Sequence, residues 1–506
     1  MFSSVGLRRF LPLLIIFALF FLPTLDTDLG WHLRYGEHFL NTGKILQENT
    51  LTYYLADYNW AHPYTLYQIA TALIYRGGGL FLLSLSLSLL VVVTYIIFEK
   101  INPELTFINL AGFLAITTFG WNVFYLGWRA QVFTVVGLIL TFYLLKKLQE
   151  LPQRYFLLLF LLLLLFALWA NFHGGFVSGL VVLAASTLNA AWQRNWVVAR
   201  RLALATLTAT AAVLINPYGI QNYYWVADHA RVPLQNLIAE WVPPSDAIKA
   251  LLLVIANIIV FFLLTRKTQQ KIFWLLVVIS ATVLTIQARR NYPIFALVST
   301  LALIDVFKDK LEVIEKHEIV QKGFVVLSGV ALATFAIVNF PKTTRIDTDW
   351  KSYCNDGIRI LPCRATEYIR AYLPQGENVY TAYEWGGFLE WQLPQYKYFV
   401  DGRMPAWTTS ENKTNQNLSS TDVAGHSLRE WKTNQNLSST SYKSPYTIYL
   451  ELIQAQSGYK ERLDKYGTDW LFIGSGTFLD IELTNNKASP WKEIYRDEVA
   501  VIYTKK

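Results

Sequence analysis

Phe10–Leu40 reads FLPLLIIFALFFLPTLDTDLGWHLRYGEHFL, an apolar run over 10–25 that stops at two carboxylates, Asp26 and Asp28. Such a run suits a helix that enters a hydrocarbon core of about 30 Å. Arg8 and Arg9 precede it and no small-residue cleavage site follows, so it reads as an uncleaved first span and not as a signal peptide. Past the carboxylates, Trp31, Leu33, Tyr35, Phe39 and Leu40 interleave with His32, Arg34, Glu37 and His38. That mixture is the mark of an amphipathic segment lying along a membrane face, with its polar groups at headgroup level.

The remainder of the chain repeats the first part of this pattern. Of 506 residues 53% are hydrophobic and 16% charged, whereas a soluble domain carries about a quarter charged residues. The fold class expected is therefore a mainly α-helical polytopic membrane protein followed by a small extracytoplasmic α/β domain. Apolar runs near 10–25, 79–98, 105–120, 130–145, 155–170, 176–192, 202–216, 249–264, 272–288, 292–307 and 323–340 give about eleven spans. Tyr64–Arg76 reads as interfacial or half-inserted. Residues 1–340 form the transmembrane domain, with a first external loop at 26–63; hydropathy then collapses, and 341–506 suffices for one soluble domain.

Starting from Arg8 and Arg9 inside, predicted inner loops hold sixteen Lys and Arg and outer loops before 341 hold eight. By the positive-inside rule the N-terminus is cytoplasmic and the C-terminal domain extracytoplasmic, in a bacterial inner membrane. The rule also accounts for the net charge of +8 without a nucleic-acid partner. Cys354 and Cys363 both fall in the external domain, nine residues apart, at a spacing that fits no zinc motif. They are either two unrelated thiols or a disulfide contributing about 2–3 kcal/mol in an oxidising compartment.

Laid on this topology, the polar motifs gather on the outer side: Asp26-Thr-Asp28 with His32 and Arg34, His62-Pro63, WNVFYLGWRAQ at 121–131, Asn171-Phe-His173-Gly-Gly175, Asn216-Pro-Tyr-Gly219, Asp228-His229, Glu240-Trp241 and Arg289-Arg290-Asn291. Ionisable groups beside hydrocarbon are costly unless they face a cavity, so each is a candidate for function. Asp26 and Asp28 suit a general base on an acceptor hydroxyl, or ligands of a divalent metal, Mg or Mn, that neutralises a phosphate leaving group; the plain alternative is a polar end to a helix. Arg129 suits a phosphate clamp or a helix-end snorkel. His173 sits in a turn whose two glycines allow close approach of a ligand or simply make a hairpin. Arg289 and Arg290 oppose the positive-inside trend and call for an anion, either a lipid phosphate or Glu240.

In the C-terminal part, helices are expected over 365–373, 384–393 and 444–466, with strands at 378–383, 397–400, 470–473, 492–495 and 500–503. Tyr383-Glu-Trp-Gly-Gly387 and Asp401-Gly-Arg403 each follow a strand, where ligand sites of open α/β sheets lie. Between them KTNQNLSST occurs at 413–421 and again at 432–440, within a duplicated polar loop at 412–440. It reads as a tandem duplication tolerated in an exposed loop.

DTDLGWHLRYGEHFL, WAHPYTLYQIATALIYR, WRAQVF, WANFHGGF, INPYG, EW at 240, ARRNYPIFAL, YEWGGFLEWQLP and FVDGR together resemble, along nearly the whole chain, a group of bacterial multi-pass membrane proteins. That group is similar in turn to membrane glycosyltransferases of the C-type (GT-C) fold, which use lipid-phosphate-linked sugars. The resemblance implies an acidic residue of the first external loop acting as base or beside a metal, with outer-face Arg and His groups on the donor phosphate. Asp26 and Asp28 match that position, although a second acidic motif in a later loop is missing beyond Glu240. The function expected is hexosyl or pentosyl transfer from a polyprenyl phosphate to a saccharide, lipid or protein acceptor on the extracytoplasmic face. Asp28 or Asp26 is the base, and His32, Arg34, His62, Arg129, His173, Glu240, Arg289 and Arg290 bind substrate. The alternatives are a transporter or flippase of lipid-linked saccharides and a non-enzymatic envelope assembly protein.

Overall fold

A computed structural model describes residues 4–56, 58–231, 238–266, 268–343, 350, 354, 361–407, 444–486 and 488–506. The duplicated loop at 412–440 lies outside them. Helices α1 (Ser4–Phe20), α2 (Leu29–Thr42), α3 (Thr65–Glu99), α4 (Thr106–Phe119), α5 (Trp121–Phe124), α6 (Val132–Glu150), α7 (Tyr155–Phe172), α8 (Phe176–Trp192), α9 (Trp196–Ala212) and α10 (Gln221–Arg231) come first. Then follow α11 (Asp246–Thr265), α12 (Lys271–Gln287), α13 (Tyr292–Lys316) and α14 (Glu318–Thr343). The segment 64–76 and the run after it form one helix, α3, kinked at Gly78–Gly79, where Gly79 has φ 60° and ψ −149°.

Among the described residues four helices have the length and composition to cross a membrane: Thr65–Glu99, Val132–Glu150, Pro152–Phe172 and Asp246–Thr265. Phe10–Phe20, Thr106–Phe119, Phe176–Trp192 and Lys271–Gln287 are apolar but shorter. The eleven spans expected are thus not reached. The polar turn at 120–131 leaves the helix before it, Thr106–Phe119, and the turn at 171–175 leaves the helix after it, Phe176–Trp192, below the roughly 20 residues that cross a bilayer at about 1.5 Å each. In addition, α9 carries Arg200 and Arg201 in its second turn, and the second half of α13 is rich in Lys, Asp and Glu.

The helices bury one continuous apolar core, with Tyr67, Leu83, Tyr95, Phe113, Ile139, Phe166 and Leu297 fully enclosed. Far along the sequence from α4, the Glu315 carboxylate accepts the backbone N–H groups of Phe107 (2.9 Å) and Ile108 (3.3 Å), answering the unpaired donors of that helix's first turn.

The C-terminal part is a five-stranded sheet in the order β2-β1-β3-β5-β4, built from β1 (Asn378–Thr381), β2 (Lys397–Tyr398), β3 (Trp470–Gly474), β4 (Trp491–Arg496) and β5 (Ala500–Lys505). β1 runs parallel to β2 and β3, and β5 antiparallel to β3 and β4. Helices α15 (Cys363–Tyr372), α16 (Gly386–Gln392), α17 (Pro445–Ile453), α18 (Tyr459–Lys465) and α19 (Phe478–Asn485) accompany it. The helix expected over 444–466 is two, because Ala455 and Gly458 take left-handed φ of 50° and 79°. Helix α19 was not expected, although its capping pattern is plain: Thr477 Oγ1 accepts from the Asp480 N–H. Cys354 and Cys363 are disulfide-bonded.

Backbone pairing and close glycine packing are among the contacts that join the sheet to the helical part. Tyr398 of β2 donates its N–H to Leu51 O (3.1 Å) and accepts from Tyr53 N–H (3.0 Å), so the first loop lies along the sheet edge. Helix α16 packs on α2 through facing glycines, where a Cβ on Gly30 would fall on the Gly387 carbonyl. The glycine contact leaves no space for a larger residue at position 30.

Candidate active site

The elements that meet at this junction enclose a cavity of about 50 Å³ lined by Asp26, Asp28, Trp31, His32, Trp60, Tyr64, Ala130, Gln131, Trp225, His229, Gly402 and Arg403. At about 10–15 Å³ per enclosed water it holds a few water molecules. Asp26 and Asp28 enter from the turn that opens α2, where Leu25 N–H donates to Leu126 O (2.8 Å) and ties the turn to segment 120–131.

The two carboxylates are held differently. Asp26 is buried and faces the Arg129 guanidinium, its Oδ2 3.7 Å from Nε. Asp28 accepts from Trp31 Nε1 at 3.1 Å. Burial, and next the neighbouring Asp26 carboxylate, push the Asp28 carboxyl up to about 7, against the lowering by Trp31 and Arg129. The other wall at Asp28 is Gly402: a Cβ there would sit 1.8 Å from Asp28 Oδ1, so the carboxylate occupies the notch that glycine leaves. Gly402 is placed by its neighbours. Arg403 bonds the Asp401 carboxylate through Nε (2.9 Å to Oδ1) and Nη2, donates from Nη1 to Tyr35 OH (2.6 Å) and from Nη2 to Asn49 Oδ1 (3.0 Å). This buried network clamps the loop after β2 onto α2 and the first loop.

Beside the cavity, Arg129 Nη1 donates to Glu240 Oε2 at 3.3 Å and Arg290 Nη1 lies 3.5 Å from Glu240 Oε1. Arg290 also stacks 4.3 Å above the Trp241 ring. Burial alone would raise the Glu240 carboxyl; Arg129 and Arg290 outweigh it and hold it below the ordinary carboxylate value.

Four histidines at or behind the cavity, His229, His173, His32 and His62, stay neutral. Burial, and then Arg290, bring His229 down to about 4, while its bond to Trp225 opposes them; Nδ1 donates to Trp225 O (2.9 Å), which leaves Nε2 as an acceptor. His173 lies well below its ordinary value through burial and then Arg290 and Arg129. Its Nδ1 accepts the Gly175 N–H at 3.1 Å and faces Thr134 Oγ1 at 2.6 Å. His32 is lowered by burial and then by His62, and stacks on Trp31 with ring centroids 3.5 Å apart. His62, brought to about 3 by burial and then Arg403, stands behind Trp60 and pairs with Tyr218 OH at 2.9 Å.

Of the residues expected to act together, Asp26, Asp28 and His32 line the cavity, with Arg129, Glu240 and Arg290 in an ion-pair chain leading from Asp26. His62 and His173 form part of the packed wall behind it. Arg34 and Arg289 do not line it. Arg34 acts electrostatically on Glu390, and Arg289 is engaged through its backbone, its N–H on Val242 O and its carbonyl on Asn122 Nδ2. Trp60, Tyr64, Gln131 and Trp225 were not expected as site residues. Of these Trp60 and Tyr64, which flank His62-Pro63 in WAHPYTLYQIATALIYR, and Gln131, at the end of WNVFYLGWRAQ, stand in motifs with a visible signal, whereas Trp225 does not.

A divalent metal does not fit this donor set. Arg129 stands between Asp26 and Glu240, and among the described residues no three His, Cys, Asp or Glu side chains converge. The positive charge opposite the carboxylates is supplied by guanidinium groups.

No family model matches the chain and no curated protein matches it, so the likeness to a bacterial group rests on the sequence motifs alone. Solved structures do match. The Archaeoglobus fulgidus oligosaccharyltransferase in its apo form superposes with a TM-score of 0.52 at 12% identity, over 94% of this chain and 70% of that one. The same organism's AglB, in complex with an inhibitory peptide and a dolichol-phosphate, gives 0.53 at 13% identity over 95% and 70%. The complex with Zn and sulfate gives 0.52 at 12% identity over 97% and 73%. At these identities the likeness is one of fold: the helical part and the small sheet domain together follow the arrangement of the archaeal oligosaccharyltransferase structures.

Proposed function

We propose that the chain is a membrane glycosyltransferase that moves a sugar from a polyprenyl-phosphate donor to an acceptor on the extracytoplasmic face of a bacterial inner membrane. The observation that carries this reading is the cavity. A carboxyl with a near-neutral pKa, Asp28, bonded by the Trp31 indole, stands beside a carboxylate–arginine pair (Asp26–Arg129), inside aromatic walls, in a fold like that of AglB. That AglB was solved with a dolichol-phosphate supports a lipid-linked donor, and the A. fulgidus oligosaccharyltransferase tethered to an acceptor peptide admits a peptide among the acceptors.

In this mechanism Asp28, ionised, takes the proton of the acceptor's nucleophile as that atom bonds the anomeric carbon. The bond from the anomeric carbon to the phosphate oxygen breaks, and the polyprenyl phosphate leaves with the electron pair. Asp26 orients Arg129, and Arg129 and Arg290 face the phosphate charge. Trp31, Trp60, Tyr64 and Trp225 offer ring faces to the sugar. The C-terminal domain shapes the acceptor side through Gly402 and Arg403.

The test is transfer itself. Purified full-length protein in lipid vesicles is given a radiolabelled polyprenyl-phosphate hexose and candidate acceptors, and free polyprenyl phosphate and labelled product are counted. Equimolar appearance of both is expected. Movement of intact donor across the vesicle bilayer without cleavage would show a transporter instead.

A further inference from the structure

Glu240 is gripped at both ends of its carboxylate, Oε2 by Arg129 Nη1 at 3.3 Å and Oε1 by Arg290 Nη1 at 3.5 Å. Each guanidinium has a second anchor that does not involve this side chain. Arg129, itself buried, also faces the Asp26 carboxylate at 3.7 Å, and Arg290 lies over the Trp241 ring at 4.3 Å. The turns that carry them are also joined, through Arg289 N–H on Val242 O at 3.2 Å. Rotation of the Glu240 side chain alone would therefore leave two guanidinium groups facing one point.

The grip is loose. Both contacts are longer than the roughly 2.7–2.9 Å of a strong charge-assisted hydrogen bond, and the Glu240 side chain is 26% exposed while Arg129 is 4% exposed. A carboxylate presents two oxygens and one negative charge. The non-bridging oxygens of a phosphodiester present the same charge at a similar spacing, and a phosphate monoester, the product, carries more.

We infer that Glu240 stands in the place of a phosphate: it is an internal anion that the donor's phosphate displaces from Arg129 and Arg290, and that returns to expel the polyprenyl phosphate after transfer. This rests on the glycosyl-transfer reading and deepens it. Glu240 then contributes to turnover through product release, and the ligand class of the arginine pair is a phosphate ester.

The experiment measures equilibrium binding of a long-chain polyprenyl phosphate, and separately of inorganic phosphate, to the full-length protein in detergent. Wild type, Glu240→Gln and Glu240→Asp are compared. If the carboxylate fills the site about nine-tenths of the time, Glu240→Gln binds polyprenyl phosphate about tenfold more tightly than wild type. Glu240→Asp, too short to bridge both arginines well, binds about threefold more tightly. Glu240→Gln should also lower KM for donor and lower kcat, as slowed product release requires.

Equal or weaker binding by Glu240→Gln than by a wild type that binds polyprenyl phosphate overturns the displacement and leaves the glycosyl-transfer reading standing. Absence of polyprenyl-phosphate binding in every protein overturns both. Tightening toward inorganic phosphate alone supports displacement and overturns the lipid as the source of the phosphate. Where Glu240→Gln does not fold, Glu240→Asp decides, since unchanged or weaker binding by it overturns the inference.

Discussion

Asp28 and Asp26 are two residues apart, yet their surroundings divide the work between them. Asp26 faces Arg129 at 3.7 Å, whereas Asp28 takes one neutral N–H from Trp31 at 3.1 Å and is pushed up to about 7 by burial and then by Asp26. A base must be ionised to act, so protonation of Asp28 removes activity. Transfer is therefore expected to fall about tenfold per pH unit below roughly 7 and to level off above it; a pH–rate profile of kcat measures this, and a profile flat from pH 5 to 8 would exclude Asp28 as the base. The sequence already showed both carboxylates at the end of the first span. It could not rank them, because the ranking depends on Arg129 and Trp31, one of them a hundred residues away, and on burial produced by a domain at the other end of the chain.

At the level of elements, the glycines where α2 meets the loop after β2 and α16 govern the site's shape. A methyl group on Gly402 would meet Asp28 Oδ1 at 1.8 Å and must move the carboxylate. Since a misplacement of about 1 Å at a reacting group can cost about 100-fold, Gly402→Ala is expected to lower kcat by roughly that factor with little change in donor KM; steady-state kinetics on the folded variant measure it. Gly387 faces the backbone instead, its added Cβ 2.2 Å from Thr27 O. Gly387→Ala should destabilise by about 1–3 kcal/mol, read as a lower thermal midpoint. Asp401-Gly-Arg403 was legible as a loop after a strand, where ligand sites gather. Its target was not, since nothing in FVDGR points to residue 28. The division of 444–466 into α17 and α18 was hidden for a local reason: Ala455 adopts φ 50°, which its side chain does not advertise.

Across the whole molecule, one buried arginine joins the sheet to the helical part. Arg403 serves Asp401, Tyr35 and Asn49 at once, and its removal leaves a buried carboxylate without its counter-charge. Arg403→Ala is expected to cost about 3–5 kcal/mol and to open the first loop and sheet edge to limited proteolysis. The helical class and the C-terminal sheet were visible in composition and alternation. The span count was not, because apolar content fixes neither where polar turns cut a helix nor which kinked helix is continuous, as at Gly78–Gly79. The central claim is that an aromatic-walled cavity built by both parts of the chain performs glycosyl transfer with Asp28 as its base. Single-turnover transfer by Asp28→Asn in lipid vesicles, with polyprenyl-phosphate binding measured on the same sample, tests it most directly. The account predicts retained binding and a loss of transfer of at least about 100-fold. Transfer at the wild-type rate would contradict it.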